Sequence, residues 1–184
     1  MAEVAPAAPR GTGVGQLAAR GAAAVPFAAV AASATVGTTA YRVREAQASH
    51  WLLARLTDDA LPFFANAPTL YVRLPDDGPL GLVITAACTS SYVTAGAAAV
   101  TALLLLFSRL SVGRLLAAGT VVIVGFALIN VLRVVGIALA TIRWDVDPGY
   151  DAAHEWGGTY VTMIAASVAA VAYLRIAGFR RERG

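Results

Sequence analysis

The sequence predicts an all-α polytopic membrane protein with about four transmembrane helices. Hydrophobic residues make up 58% of the 184-residue chain and charged residues only 14%, whereas a soluble domain carries about 25% charged residues. Long apolar stretches recur along the chain, each of a length that crosses a hydrocarbon core of about 30 Å. We therefore predict one integral membrane domain, 16–184, with spans at about 21–41, 89–107, 115–142 and 156–176.

The basic residues, all of them arginine, flank the apolar stretches. This placement indicates topology signals rather than a nucleic-acid surface, so no nucleic-acid partner is expected. With a cytoplasmic N-terminus, eight arginines lie inside and five outside, in the direction of the positive-inside rule. The inner set is Arg10, Arg20, Arg109, Arg114, Arg175, Arg180, Arg181 and Arg183. The prediction is a multi-pass protein of the cytoplasmic membrane with both termini inside.

The N-terminal region holds two predicted segments. Residues 1–15, rich in Ala, Pro and Gly, predict a disordered cytoplasmic tail. The stretch 21–41 predicts a retained membrane anchor. A cleaved signal peptide is the alternative, because small residues near 32–34 suit a signal peptidase; the length of the apolar stretch favours the anchor.

Two smaller elements are predicted between the first and second spans. Residues 41–56, which include His50, mix Trp and Leu with arginines, a pattern typical of an amphipathic helix lying in the membrane interface. The β-prone runs 70–74 and 80–85 flank Pro-Asp-Asp-Gly-Pro. An Asp-Gly turn between two such runs predicts a β-hairpin, and this one ends just before Cys88.

Cys88 is the only cysteine, which excludes an intrachain disulfide and a thiolate metal cluster. With no other ligand cluster in the sequence, no metal and no organic cofactor is expected. A lone cysteine is most often a small buried hydrophobe. Cys88, however, lies where a strand leads into a helix N-terminus. The helix dipole there favours an anion, and the thiolate is the nucleophilic form.

Arg133 lies inside the apolar run 115–142. An arginine at the centre of a membrane helix costs at least about 2.5–3.5 kcal/mol, so it is a functional candidate by default. The alternative is that its side chain reaches the outer headgroups. Asn130 lies three residues earlier and shares its helix face, which favours a functional polar patch.

Counting along the helices predicts that Cys88, Arg133 and His154 lie at similar depth. They are 19, 18 and 22 residues from the predicted inner ends of their spans, or roughly 28, 27 and 33 Å at 1.5 Å per residue. All three are therefore expected near the outer boundary. His154 falls in a predicted polar loop, 143–155, where a solvated histidine without a role is the alternative.

Three stretches resemble the exosortase/archaeosortase family of prokaryotic membrane transpeptidases: Val-Ile-Thr-Ala-Ala-Cys-Thr-Ser around Cys88, Asn-Val-Leu-Arg-Val-Val-Gly from Asn130, and His-Glu-Trp-Gly from His154. Their order and spacing are similar to the family's over about 70–173. The family usually reads Cys-Ser/Thr-Gly, whereas Thr89 and Ser90 follow the cysteine here. This departure leaves the subfamily open.

The resemblance implies a sortase-like cysteine peptidase or transpeptidase. It implies Cys88 as nucleophile, His154 as general acid and base, and Arg133 as the residue that stabilises the thiolate or an oxyanion, with Asn130 orienting Arg133. The implied substrate is a secreted protein that ends in a short motif, a transmembrane helix and a basic tail. Within the membrane lipid, that helix is expected to contact small residues such as Gly96 and Ala99.

Two other functions fit the sequence. One is a non-catalytic membrane assembly factor, favoured by the missing glycine after Cys88. The other is a haem-binding four-helix membrane protein with His50 and His154 as axial ligands. The sequence leaves open the recognition motif, the acceptor and the oligomeric state.

Overall fold

The computed structural model describes residues 13–75 and 77–178. This part of the chain is mostly helical, with one two-stranded hairpin. Two π-helical turns, Asp145–Tyr150 and Ala152–Gly157, connect the fourth helix to the fifth. The elements in chain order are α1 (Gly13–Val36), α2 (Thr38–Leu53), β1 (Thr69–Leu74), β2 (Gly78–Val83), α3 (Ser91–Phe107), α4 (Val112–Trp144) and α5 (Gly158–Ala177).

Within residues 13–75 and 77–178, three helical stretches are long and apolar enough to cross a membrane: Gly13–Val36, Val112–Tyr150 and Ala152–Ala177. They identify the chain as a membrane protein. The apolar helix α3 has 17 residues, or about 26 Å, because the chain around Cys88 forms a turn before the helix begins at Ser91. A fourth span at α3 stays a prediction.

Large apolar side chains on α4 and α5 point away from the protein. Leu128, Leu132, Val168 and Val171 are each more than half exposed. Contiguous apolar surface of this kind is rare on proteins that face water. In a bilayer it contacts lipid tails, while the helices satisfy their own backbone hydrogen bonds.

Helix α1 begins earlier than predicted, at Gly13, so the last three residues of the predicted tail are helical. Residues 1–12 lie outside the described residues, as do Arg180, Arg181 and Arg183 of the charge count. The predicted span to residue 41 is too long at its C-terminal end, because α1 ends at Val36 and Gly37 separates it from α2.

The first helix runs antiparallel to the third. At one end, the Arg20 guanidinium donates to the carbonyls of Leu105 and Ser108 at 3.0 and 2.6 Å. Just beyond the other end, the hydroxyl of Tyr41 in α2 lies 3.0 Å from the hydroxyl of Ser90, the residue before α3. Helix α4 also approaches α1 closely at Gly119, where a Cβ would lie 2.6 Å from the Phe27 ring.

Helix α2 packs into the protein. Its buried face consists of Glu45, Ala46, Ser49 and Leu53, and it contacts α4 and β1. The predicted helix is therefore present, although its inward face carries a carboxylate and a hydroxyl. Its position relative to the membrane interface stays a prediction.

The predicted hairpin is present, with β1 and β2 antiparallel and Thr69 paired with Val83. Gly78 begins the second strand at φ +80°, a conformation that glycine adopts without steric cost. Asp76 of the predicted turn lies outside the described residues. The hairpin packs with Cys88 and α4 in a second apolar cluster, formed by Ala46, Leu53, Leu70, Val72, Ile84, Cys88, Val134, Val135 and Ala138.

The predicted polar loop 143–155 is partly helical: two π-helical turns make up most of it, while the backbone leaves helical geometry at Asp145 and Asp147. The Pro148-Gly149 pair is a turn signal in sequence. In the structure, Gly149 instead lets the first turn pack back on α4: a Cβ there would lie 2.5 Å from the carbonyl oxygen of Ala140. His154 lies in the second turn, directly before α5.

Candidate functional site

Cys88 lies in a turn between the hairpin and α3. Its backbone N–H donates to the carbonyl of Thr85 at 3.1 Å, and the Thr85 hydroxyl donates to its Sγ at 3.3 Å. The residue is only 9% exposed. The turn thus holds the thiol at the end of the bundle where α3 begins.

The thiol of Cys88 meets His154 across the bundle. The Sγ and Nε2 atoms are 3.1 Å apart, although 66 residues separate them in sequence. The ring of Tyr150 stacks on the imidazole, with centroids 5.0 Å apart and planes inclined by 9°. The first π-helical turn supplies Tyr150 and the second supplies His154, so their packing fixes the imidazole beside the sulfur.

Asn130 and Arg133, one turn apart on α4, both bind the backbone of Cys88. The carbonyl oxygen of Cys88 accepts from Asn130 Nδ2 at 3.1 Å and from Arg133 Nη1 at 3.4 Å. Arg133 Nη1 is also 3.4 Å from Asn130 Oδ1. The structure therefore brings all four predicted site residues together; their catalytic roles stay predictions.

The guanidinium of Arg133 lies against the start of α5. A Cβ on Gly158 would be 2.7 Å from Arg133 Nε and 2.8 Å from Nη2. The Nε atom is buried and has no hydrogen-bond partner among the described residues. Only a residue without a side chain lets the guanidinium occupy this place.

Glu45 extends this site to α2. The residue is 5% exposed. Its carboxylate accepts from Asn130 Nδ2 at 2.9 Å, from the Ser90 N–H at 3.0 Å and from the Ser90 hydroxyl at 2.6 Å. The Thr89 hydroxyl is a further donor. A carboxylate only accepts hydrogen bonds when ionised, and here donors surround it.

Two cavities adjoin the site. The smaller, of about 30 Å³, is lined by Cys88, Tyr150 and His154 together with apolar side chains, and it has room for about one water molecule. The larger, of about 400 Å³, lies between α4 and α5 and reaches Arg133. Its other lining residues are Ile129, Leu132, Gly136, Ile137, Ala153, Gly157, Gly158 and Val161. Of the predicted site residues, Arg133 alone lines the larger groove, while Cys88 and His154 line the smaller cavity.

Asp151 lies near two further acids and near His154. A hydrogen bond with Asp147 raises the pKa of Asp151, and the like charges of Asp147 and Glu155 raise it further. No group of three or more His, Cys, Asp or Glu suited to a metal occurs in the described part of the chain.

The haem alternative gains no support from the geometry of the two histidines. A haem iron would need a ring nitrogen of each. The Nε2 atom of His154 is in contact with Cys88, and the ring of His50 stacks on Phe63 with centroids 5.8 Å apart.

The two predicted substrate-helix contacts lie away from the cysteine. Gly96 is exposed and lines an apolar groove of about 350 Å³ between α3 and α5. Ala99 is half-buried and is not among the residues that line this groove. A contact between these residues and a substrate helix stays a prediction.

Compared with protein-family models, curated proteins and solved structures, the chain has no match.

Glu45, Tyr150 and Gly158 belong to the site but were not predicted from the sequence. Glu45 lies among arginines, which is typical of a solvated helix face. Its spacing of four residues from Ser49 and eight from Leu53 was the available signal, because such residues share one helix face. Tyr150 and Gly158 gain significance only through contacts between elements, for which the sequence contains no signal.

Proposed function

We propose that this protein is a membrane-embedded cysteine peptidase or transpeptidase that acts at the outer face of the cytoplasmic membrane. The observation that carries the proposal is the 3.1 Å contact between Cys88 Sγ and His154 Nε2. A nucleophile within hydrogen-bond reach of a base, itself oriented by a third group, is the arrangement of nucleophilic catalysis. Tyr150 is that third group here.

In the proposed reaction, His154 takes the proton of Cys88 and the thiolate attacks a peptide carbonyl. The C–S bond forms first, giving a tetrahedral intermediate. The C–N bond then breaks, and the amine leaves with the proton carried by His154. The resulting thioester is attacked by an acceptor, water or another nucleophile, that His154 deprotonates, and the sulfur leaves as thiolate.

Arg133 is the proposed source of positive charge for the tetrahedral oxyanion. The described residues contain no carboxylate in ion-pair contact with its guanidinium, so its charge is not neutralised by a partner there. A charge held in an apolar site acts more strongly than in water. Asn130, between Glu45 and Arg133, is proposed to orient the guanidinium.

The proposed substrate is a secreted protein whose C-terminal motif is followed by a transmembrane helix and a basic tail. The resemblance to exosortases and archaeosortases favours this class. Both termini inside and four spans would place Cys88 just outside the lipid, where such a motif emerges. Arg20 and Arg114 lie at the end of the bundle opposite Cys88. The positive-inside rule expects arginines at the cytoplasmic end, which supports the proposed orientation.

The direct test is the intact mass of such a tailed protein after incubation with this protein in lipid nanodiscs. We expect loss of the helix and basic tail, either with a hydroxyl at the new C-terminus or with the added mass of an acceptor. A catalytically inert scaffold, the assembly-factor alternative, would leave the mass unchanged for every tailed protein encoded beside this one.

Tyr150 offers a second test, with p-nitrophenyl acetate as an activated ester that acylates Cys88 and releases p-nitrophenolate. Tyr150→Ala is expected to slow acylation by up to roughly tenfold, because an aromatic stack is worth about 0.5–1.5 kcal/mol. Tyr150→Phe keeps the ring and is the matched control, expected within about twofold of the parent. Equal slowing by both variants would assign the effect to the hydroxyl rather than to stacking.

A further inference from the structure

We infer that Glu45 is a positioning residue of this site, which rests on the function proposed above. Its buried carboxylate holds the turn that carries Cys88 and, through Asn130, sets the place of Arg133. The inference comes from where its hydrogen bonds go: both residues after the nucleophile and the amide that contacts the arginine.

The first part of the argument concerns the nucleophile's backbone. Ser90 gives Glu45 both its N–H and its hydroxyl, and Thr89 gives its hydroxyl. On the other side, Asn130 and Arg133 hold the Cys88 carbonyl. Three side chains, Glu45, Asn130 and Arg133, thus hold the turn through five hydrogen bonds without any glycine after Cys88. Ser90, which stands where the family pattern has glycine, supplies two of these bonds.

The second part concerns charge. A direct ion pair between Glu45 and Arg133 would consume the positive charge that an oxyanion needs. Asn130 separates them: its Nδ2 donates to Glu45 Oε1 at 2.9 Å, while its Oδ1 lies 3.4 Å from Arg133 Nη1. The Glu45 carboxylate orients the Asn130 amide, and the amide orients the Arg133 guanidinium. The positive charge of the guanidinium then stays available to the substrate.

An alternative, purely structural role is stabilisation of the α2–α4 packing. Burial of a charged group stabilises a fold only where its hydrogen bonds are complete, and removing one partner is costly. A structural role predicts that loss of Glu45 lowers stability and slows every reaction of Cys88 alike. A positioning role predicts a selective loss, in reactions that develop an oxyanion.

The test compares two reagents on Glu45→Gln in nanodiscs. Acylation by p-nitrophenyl acetate passes through a tetrahedral oxyanion, whereas alkylation by iodoacetamide displaces iodide at a saturated carbon and develops none. The chain has one cysteine, so alkylation reports on Cys88, and the acylation of Cys88 is the rate in excess of that of Cys88→Ala. We expect acylation to fall roughly 10²-fold, the effect of a small misplacement of catalytic groups, and alkylation to stay within about threefold of the parent.

Asp58→Asn is the matched control, since it makes the same acid-to-amide change at an exposed position, and both rates should match the parent. If Glu45→Gln does not fold, Glu45→Asp replaces it in the test. Glu45→Asp keeps the negative charge but has a side chain shorter by one methylene, so we expect a smaller loss of acylation than for Glu45→Gln. The double variant Glu45→Gln/Asn130→Ala is expected to be no slower than the slower single variant, because residues that act in series are not additive.

The outcomes separate the two proposals. If the parent is not acylated faster than Cys88→Ala, the proposed function is wrong. If the parent is acylated and Arg133→Ala is impaired while Glu45→Gln and Glu45→Asp acylate at the parent rate, only the role of Glu45 is wrong. The role of Glu45 would also be wrong if Glu45→Gln slowed acylation and alkylation equally. It would be wrong, too, if the losses of Glu45→Gln and Asn130→Ala multiplied in the double variant.

Discussion

Cys88→Ala is expected to reduce release of p-nitrophenolate to the rate seen with empty nanodiscs, because the variant has no thiol to acylate. His154→Ala is expected to slow acylation by roughly 10²–10⁴-fold, the usual contribution of a general base. Intact mass of the protein gives a second readout: a 42 Da acetyl adduct is expected on the parent within the first turnover, at one site per chain.

The control for His154 is His50→Ala, since these are the only two histidines in the chain. His50 stacks on Phe63 and has no contact with the cysteine turn among the described hydrogen bonds, so its loss should leave acylation within about twofold of the parent. An acetyl adduct that forms equally fast on the parent and on His154→Ala would remove the base from the mechanism. The contact at 3.1 Å would then be a packing feature of the bundle.

Cys88 and Arg133 could be singled out from the sequence because one is the only cysteine and the other is an arginine inside an apolar run, and His154 because it is one of two histidines. Counting residues along helices then placed them at similar depth, and the structure brings them together at the end of the bundle where α3 begins. Such counting relies on the fixed rise of a helix, and the depth of the three residues in a membrane stays a prediction. For Cys88 and Arg133, the count required the position of only one end of each predicted span, the inner end.

The connection that carries His154 could not be predicted from the same pattern. Pro148 and Gly149 indicate a turn, and nothing in the sequence shows that Gly149 packs on the Ala140 carbonyl and that the chain continues in π-helical turns. The stacking of Tyr150 on His154 follows from that packing. Local signals identify where a helix is interrupted, while tertiary contacts decide what replaces it.

Glu45 shows a different limit. An acid between arginines on an apparently amphipathic helix has the same sequence signature whether it faces water or a polar site. Its burial depends on donors from residues about 45 and 85 positions later, at Ser90 and Asn130. Charge patterning alone cannot separate these cases, because the donors lie on other helices.

Gly158→Ala is expected to slow acylation of Cys88 by roughly 10²-fold while leaving the protein folded. The new Cβ would lie 2.7 Å from Arg133 Nε, too close for the two groups to coexist. The end of an arginine side chain can move at little cost, so the guanidinium is expected to leave its place rather than the helix to unfold. Alanine in a helix is also favoured over glycine by up to about 1 kcal/mol.

Gly157→Ala is the matched control, because it makes the same change one residue earlier, where the nearest atom is the Ala152 carbonyl oxygen at 3.9 Å. That distance is an ordinary contact, so both acylation and thermal stability should stay near the parent values. Alkylation by iodoacetamide should be unaffected in either variant, since it develops no oxyanion. Removal of a single oxyanion donor costs about 10²–10³-fold in known hydrolases, and Arg133→Ala is expected to show a loss of the same size. If Gly158→Ala acylates as fast as Gly157→Ala, the guanidinium acts from another position, and the contact between α4 and α5 does not set its catalytic geometry.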